Sequence, residues 1–298
     1  MGIVLRGTIE LAEQTIDEIK VSELSGLAWD EDEQLLYAIS DNGFLFHFRP
    51  VLAERTLIDA QVLAAFPLTE VKGERLASRD SEGLALLNGN NQVVGDSELI
   101  ISFERQPRIA RFTPTGTLKA EYLLPESLSQ PAHYQTPNQA LEAVTLHPQW
   151  GILTAPEKPL VGNNPAEIII YNLQGQQWQL PSHSAPNSAV VALEALADGS
   201  IMILERAFVS VLQPLIISLR RLSWLVDSIE KQPVAQVQLV AEFNNQQGWQ
   251  IDNFEGLTHH KDNYFFMVSD NNESQLQRSL LSYWSIANEE MNEFKKLK

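Results

Sequence analysis

A short motif recurs along this chain at intervals of about fifty to sixty residues, and that periodicity restricts the fold more than any other feature of the sequence. Its copies are Ser25-Gly26-Leu27, Glu82-Gly83-Leu84, Glu142-Ala143-Val144, Glu194-Ala195-Leu196 and Glu255-Gly256-Leu257. Behind each copy lies an apolar run that ends in an acid followed by a polar or basic residue: Asp41-Asn42, Glu104-Arg105, Glu157-Lys158, Glu205-Arg206 and Asp270-Asn271. These runs are rich in β-branched and aromatic residues and bounded by turn residues, the signature of strands. Two more strand-like runs usually follow, so each unit reads as a four-stranded antiparallel meander. Units of that kind at this period point to an all-β fold, a single β-propeller over residues 1–298.

Five blades account for the repeats, with six as the alternative if residues 43–80 hide a degenerate unit. The last unit shows three strands of its own, and the strand-like start IVLRGTIEL has no blade. Pairing the two orphan edges would close the ring with the N-terminal strand. The apolar run Ala207 to Val226 reads as an insertion between the second and third strands of the fourth unit. Pro214 and Arg220-Arg221 interrupt it, so it is not expected to span a membrane.

Composition narrows the chemistry. The 298 residues carry 38 Asp and Glu against 21 Lys and Arg, a formal net charge of -17 that disfavours nucleic acid and favours cations. The absence of cysteine excludes a disulfide scaffold, a thiolate metal site and a cysteine nucleophile. The start lacks the long apolar region of a secretory signal, which leaves the compartment open.

In a hairpin with a symmetric turn, opposite residues have a constant index sum. That rule sets Glu194 opposite Glu205 about a centre between Gly199 and Ser200, Glu142 opposite Glu157, and Glu255 opposite Asp270. Ser25 meets Asp41, and Glu82 meets Glu104 across a longer loop. All five pairs fall on the rim where inter-blade loops emerge, so the acids are expected to crowd one mouth. Opposed like charges destabilise a sheet unless protons, cations or basic residues compensate. An oxygen-only ligand set suits Ca²⁺ first and Mg²⁺ second. The expected metal ligands are Asp41, Glu104, Glu142, Glu157, Glu194, Glu205 and Asp270. Glu82 and Glu255 are the candidate general acid and base, and Arg105, Lys158, Arg206, Asn42 and Asn271 the candidate substrate-binding residues. A plainer reading stands beside this one: the repeated glutamates accept hydrogen bonds from the neighbouring blade and hold the ring together. The tryptophans are expected to pack between blades.

The segments SGLAWDEDEQLLYAISDN, DSEGLAL, ISFERQPRIARF and NFEGLTHHKDNYFFMVSDNN give the chain a resemblance to the phytase-like, esterase-like domain family of bacteria. The resemblance implies a propeller, a relation to calcium-dependent phytases, and an exported protein. Residues and resemblance together lead to the expectation of a metal-dependent ester hydrolase, phosphoester first, acting on a small molecule. A lactonase or carboxylesterase with a central calcium is the first alternative. A non-catalytic propeller that binds a protein, peptide or glycan is the second.

Overall fold

The computed structural model describes residues 2–11, 14–210, 212–226, 233–249, 251–272 and 277–287. Within them the chain winds into five four-stranded antiparallel sheets arranged as the blades of a propeller. Blade 1 comprises Leu24–Asp30, Leu35–Ser40, Phe44–Ala53 and Thr56–Pro67. Blade 2 comprises Ser81–Leu87, Glu98–Phe103, Arg108–Phe112 and Leu118–Tyr122. Blade 3 is Leu141–His147, Gly151–Pro156, Glu167–Asn172 and Gln177–Pro181. Blade 4 is Ser188–Ala195, Ile201–Ala207, Ile216–Val226 and Pro233–Asn244. Blade 5 takes Asn253–His259, Tyr264–Asp270 and Leu280–Ala287, and the N-terminal strand Gly2–Glu10 completes it.

That completion closes the ring as the orphan edges suggested, with Ile3 opposite Ile286 and Ile9 opposite Leu281. The segment 43–80 holds no sixth blade: it forms the long outer hairpin of blade 1 and a loop bridged at Thr69 to Arg75 and Thr117. The run 207–226 is not an insertion either. Ile216–Val226 is the third strand of blade 4, next to Ile201–Ala207 in the sheet. No helix among the described residues is long and apolar enough to cross a membrane.

The core is divided into five seams, one between each pair of neighbouring blades. A blade therefore buries both faces, and its central strands are buried throughout rather than on alternate residues; every residue of Tyr264–Asp270 is buried. At the hub the five inner strands come into direct contact. A Cβ on Gly83 would stand 2.5 Å from the backbone N of Val144, and one on Gly26 would stand 2.6 Å from the carbonyl O of Glu82. At Gly26 and Gly83 the glycine is thus required by close approach to the next blade, whereas at Gly256 a Cβ would first meet the Val268 side chain of its own blade at 2.7 Å.

Each inner strand carries a register shift at the motif. It falls between Leu24 and Gly26, Ser81 and Leu84, Leu141 and Ala143, Val190 and Ala192, and Phe254 and Gly256. These are β-bulges: one or two residues are left unpaired and the strand kinks there. The constant index sum consequently fails at the position where the acids were expected to face each other.

Deleting residues 2–10 should leave the edge of Leu280–Ala287 unpaired and blade 5 with three strands. Expected is a fall in melting temperature of about 10 °C or more, since each kcal/mol moves the midpoint of a chain this size by about 2–4 °C. Circular dichroism melts check this, and an unchanged midpoint would show that the strand does not close the ring.

Candidate active site at the acidic mouth

Because the bulge recurs, the mouth is built of three tiers with one residue from each blade. The bulged position is Ser25, Glu82, Glu142, Val191 and Glu255 in blades 1 to 5. The residue beyond the end of the second strand core is Asp41, Glu104, Glu157, Arg206 and Asp270. Opposite that residue stands a third tier of Glu23, Asp80, Ala140, Ala189 and Asn253. Backbone contacts fix the pairing: Asp41 N donates to Glu23 O at 3.1 Å, Glu104 N to Asp80 O at 3.0 Å, and Glu157 N to Ala140 O at 3.1 Å. Ala189 pairs with Arg206, and Asn253 with Asp270.

This arrangement corrects two expected ligands, both in blade 4. Glu194 pairs with Met202, not Glu205, and lies three residues past the bulge toward the opposite rim. Its Oε1 accepts from His259 N at 2.8 Å and from the Thr258 hydroxyl at 3.5 Å, so it ties blade 4 to blade 5. Glu205 pairs with Val190 and is buried in the blade, with Arg220 Nε at 2.5 Å and His183 N donating at 2.9 Å. The cause is a coincidence of letters: Glu194-Ala195-Leu196 mimics the motif, whereas Val191-Ala192-Leu193 occupies its place.

The expected substrate-binding residues are mostly engaged with protein. Lys158 donates to Asn187 O, Asn187 Oδ1 and Ser188 O at 2.9, 3.1 and 3.0 Å, which uses all three of its N–H groups. Asn42 donates to the Glu23 carboxylate and Asn271 Oδ1 accepts from Glu23 N, so both hold the blade 1 entry. Arg105 is paired through Nε to Asp80 at 2.8 Å, yet 61% of its side chain remains exposed. Arg206 projects into the mouth where the other four blades place a carboxylate. Its Nη1 donates to Glu255 Oε1 and Asn253 Oδ1, both at 2.5 Å, and Nη2 lies 3.5 Å from Glu157 Oε1. Sequence reasoning missed Asp80, Glu23 and Asn253. Their signal is a polar residue two positions ahead of the bulge, as in Asp80-Ser81-Glu82.

Crowding and burial set the electrostatics. Burial first, then Glu104, Glu255 and other acids, pushes Glu82 well above the usual carboxylate range. Burial does the same to Glu142, reinforced by Glu82 and Glu104. Asp41 is pushed up to about 8 by burial and by Glu23 and Asp270, and Glu104 to about 8 by burial and by Glu157 and Asp80. Glu255 rises only to about 7, because Arg206 opposes its burial. Burial works against the charge on Arg206, but Glu255, Glu142 and Glu157 outweigh it and the guanidinium stays protonated.

Asp80, Glu82 and Glu104 each offer an oxygen within 4.8 Å of the other two. Two oxygens bound to one Ca²⁺ at about 2.4 Å can be at most about 4.8 Å apart, so the trio fits a single hard cation. Asp41 Oδ1 nearby is buried and finds no hydrogen-bond partner among the described residues, a position that a cation would satisfy.

The sequence profile of the family described as "Phytase-like: Esterase-like activity of phytase" matches residues 19–273, which include every tier of the mouth. The chain belongs to the phytase-like family. No curated protein matches this phytase-like chain. Among solved structures it is similar to the β-propeller domain of Myceliophteria thermophila Cps50 (Swd1), at a TM-score of 0.43 and 11% identity over 89% of this chain and 84% of that one. So distant a likeness has no bearing on function, and the blade count follows from the strand pairing.

For the metal-free protein the shifts give a definite pH dependence. Carboxyls titrating near 8 when folded and near 4 when unfolded hold protons in the folded state across that interval, so their contribution to stability falls as pH rises from about 4 to about 8. In chelator, the melting temperature of the wild type relative to Glu104→Gln should fall over that range. Millimolar Ca²⁺ at pH 8 should raise the wild type above the variant. A wild-type advantage that grows with pH in chelator would contradict the assignment.

Proposed function

We propose that this chain is a divalent-cation-dependent ester hydrolase working at the acidic mouth. The observation that carries the reading is the Asp80, Glu82 and Glu104 trio set beside the Arg206–Glu255–Asn253 cluster. Asp80, Glu82 and Glu104 would hold Ca²⁺, or alternatively Mg²⁺, and Glu82 thereby moves from candidate acid–base to ligand. The bound cation would supply neutralising charge and polarise an ester oxygen.

The protein's own groups supply the rest. Glu255, near 7, exchanges a proton at neutral pH, which suits a general base or acid. Asn253 Nδ2 at 2.9 Å and Arg206 Nη1 both donate to its Oε1, leaving Oε2 as the oxygen that takes up the proton. Arg206, bound to that carboxylate, orients Glu255 and opposes the rise that burial would give it.

Substrate charge follows from what the cations already bind. Lys158 has no N–H to spare, and Arg206 is occupied by two carboxylates and an amide. A polyphosphate would meet carboxylates with little to balance them, which favours an uncharged carboxylic ester or lactone. A phosphoester is the second reading, supported by the exposure of Arg105 at the rim, from where it can reach one phosphate.

The expected outcome is hydrolysis of aryl esters or lactones that chelator abolishes and Ca²⁺ restores. Glu104→Gln and Glu255→Gln should each lower kcat by about 10²-fold or more. Glu194→Gln, at the far rim, should leave it within about twofold. Preference for phosphomonoesters over carboxylic esters would reverse the order of the two readings. Absence of turnover on both panels at saturating Ca²⁺ would overturn the hydrolase assignment.

A further inference from the structure

Three of the chain's six tryptophans, Trp150, Trp178 and Trp224, meet at the rim opposite the mouth, where the first hairpin turns of blades 3 and 4 emerge. Their ring centroids lie 4.2 Å apart for Trp150–Trp224 and 4.6 Å for Trp150–Trp178. They pack against the seam between blades 3 and 4, as expected of tryptophan, yet all three remain only partly buried. Trp150 and Trp224 also form a wall of a cleft of about 490 Å³, within the size range of small-molecule sites.

The other walls are polar. Gln149 and Gln238 are exposed along it, and Arg221 forms an ion pair with Asp198. Arg221 Nε donates to Ser200 Oγ at 2.9 Å, and that hydroxyl donates to Asp198 Oδ1 at 2.6 Å. The two charges cancel, so the cleft is locally neutral on a chain of net charge -17.

Trp150 is fixed before any ligand arrives. The backbone N–H groups of Gln149 and Trp150 donate to His147 Nδ1 at 3.1 and 3.2 Å, which makes that nitrogen the acceptor. His147 Nε2 must then carry the proton, and it donates to Gly199 O at 2.8 Å. The imidazole lies stacked on the Trp150 ring at 4.3 Å. A platform held from below and from its backbone loses little conformational freedom on binding.

We propose that this cleft binds a neutral saccharide, the C–H face of one sugar ring lying on an indole while its hydroxyls bond to Gln149, Gln238 and the Arg221–Asp198 pair. A sugar presents an apolar face and a surrounding set of donors and acceptors, and the cleft presents the complement of both. A nucleotide is disfavoured, since the one cation here is already paired and the chain as a whole is acidic. The site is separate from the mouth and independent of the ester-hydrolase reading.

The test uses the full chain and five probes: the hexasaccharides of β-1,4-glucose, α-1,4-glucose, β-1,3-glucose, β-1,4-xylose and β-1,4-N-acetylglucosamine, each raised to about 10 mM, a concentration at which even a Kd near 1 mM (about −4 kcal/mol) saturates. Expected is a change in tryptophan fluorescence and a calorimetric signal with at least one of them. Trp150→Ala should weaken that binding at least tenfold, and Gln149→Ala and Gln238→Ala several-fold each. The two glutamine side chains are exposed, so those variants carry the test if Trp150→Ala does not fold. Chelator and Glu104→Gln should leave binding unchanged. No binding of any probe, binding that survives both glutamine variants intact, or binding that chelator abolishes would each overturn the proposal.

Discussion

The close contact of the five inner strands at the hub is the constraint from which the rest of this structure follows. Where Gly26 and Gly83 let one blade's backbone reach the next, there is no room for ordinary pairing to continue, and a bulge at the residue before the glycine relieves the crowding. The bulged side chain emerges at the centre of one rim. Repeating that local event around the ring brings Glu82, Glu142 and Glu255 together, although each is more than fifty residues from the next in sequence.

Such a concentration of acids conflicts with the physics of burial. Desolvation alone raises Glu82 and Glu142, and each ionised neighbour raises them further, so without a compensating cation the mouth does not hold its full complement of negative charge at neutral pH. Arg206 resolves part of the conflict on the side of blades 4 and 5, where it holds Glu255 near 7. On the side of blade 2, Arg105 approaches from the exposed rim and pairs with Asp80. There Asp80, Glu82 and Glu104 bring their oxygens together with Arg105 paired to Asp80 alone.

The fold was legible because burial on both faces leaves a strong mark: LLYAIS, ELIISF and YFFMVS are continuous apolar runs that recur at one period, and they are second strands as read. The mouth was legible only to within a residue or two. A bulge adds a residue to one strand without altering the apolar pattern, so index arithmetic passes over it and pairs Glu255 with Asp270 when Asp270 faces Asn253. In blade 4 the chance sequence Glu194-Ala195-Leu196 drew attention three residues too far along, and Glu205 was taken for its neighbour Arg206. Asp80 escaped because its significance lies in what it faces across the sheet, and the polar residue two positions ahead of the bulge recurs in only three of the five blades, alanine taking its place in the other two.

Blade 4 differs most from the others at the mouth: Arg206 stands where each of the other four blades places a carboxylate, Val191 holds the bulged position, and Ala189, like Ala140 of blade 3, offers no polar side chain. Five equivalent blades would present an entering molecule with five indistinguishable ways to lie. A single cationic, partly apolar sector removes that degeneracy: it gives the mouth a front and a back, so that a ligand's electron-rich end has one direction in which to point. For the proposed hydrolase that polarity would orient an unsymmetrical bond, and one divergent blade supplies it within an otherwise repetitive ring.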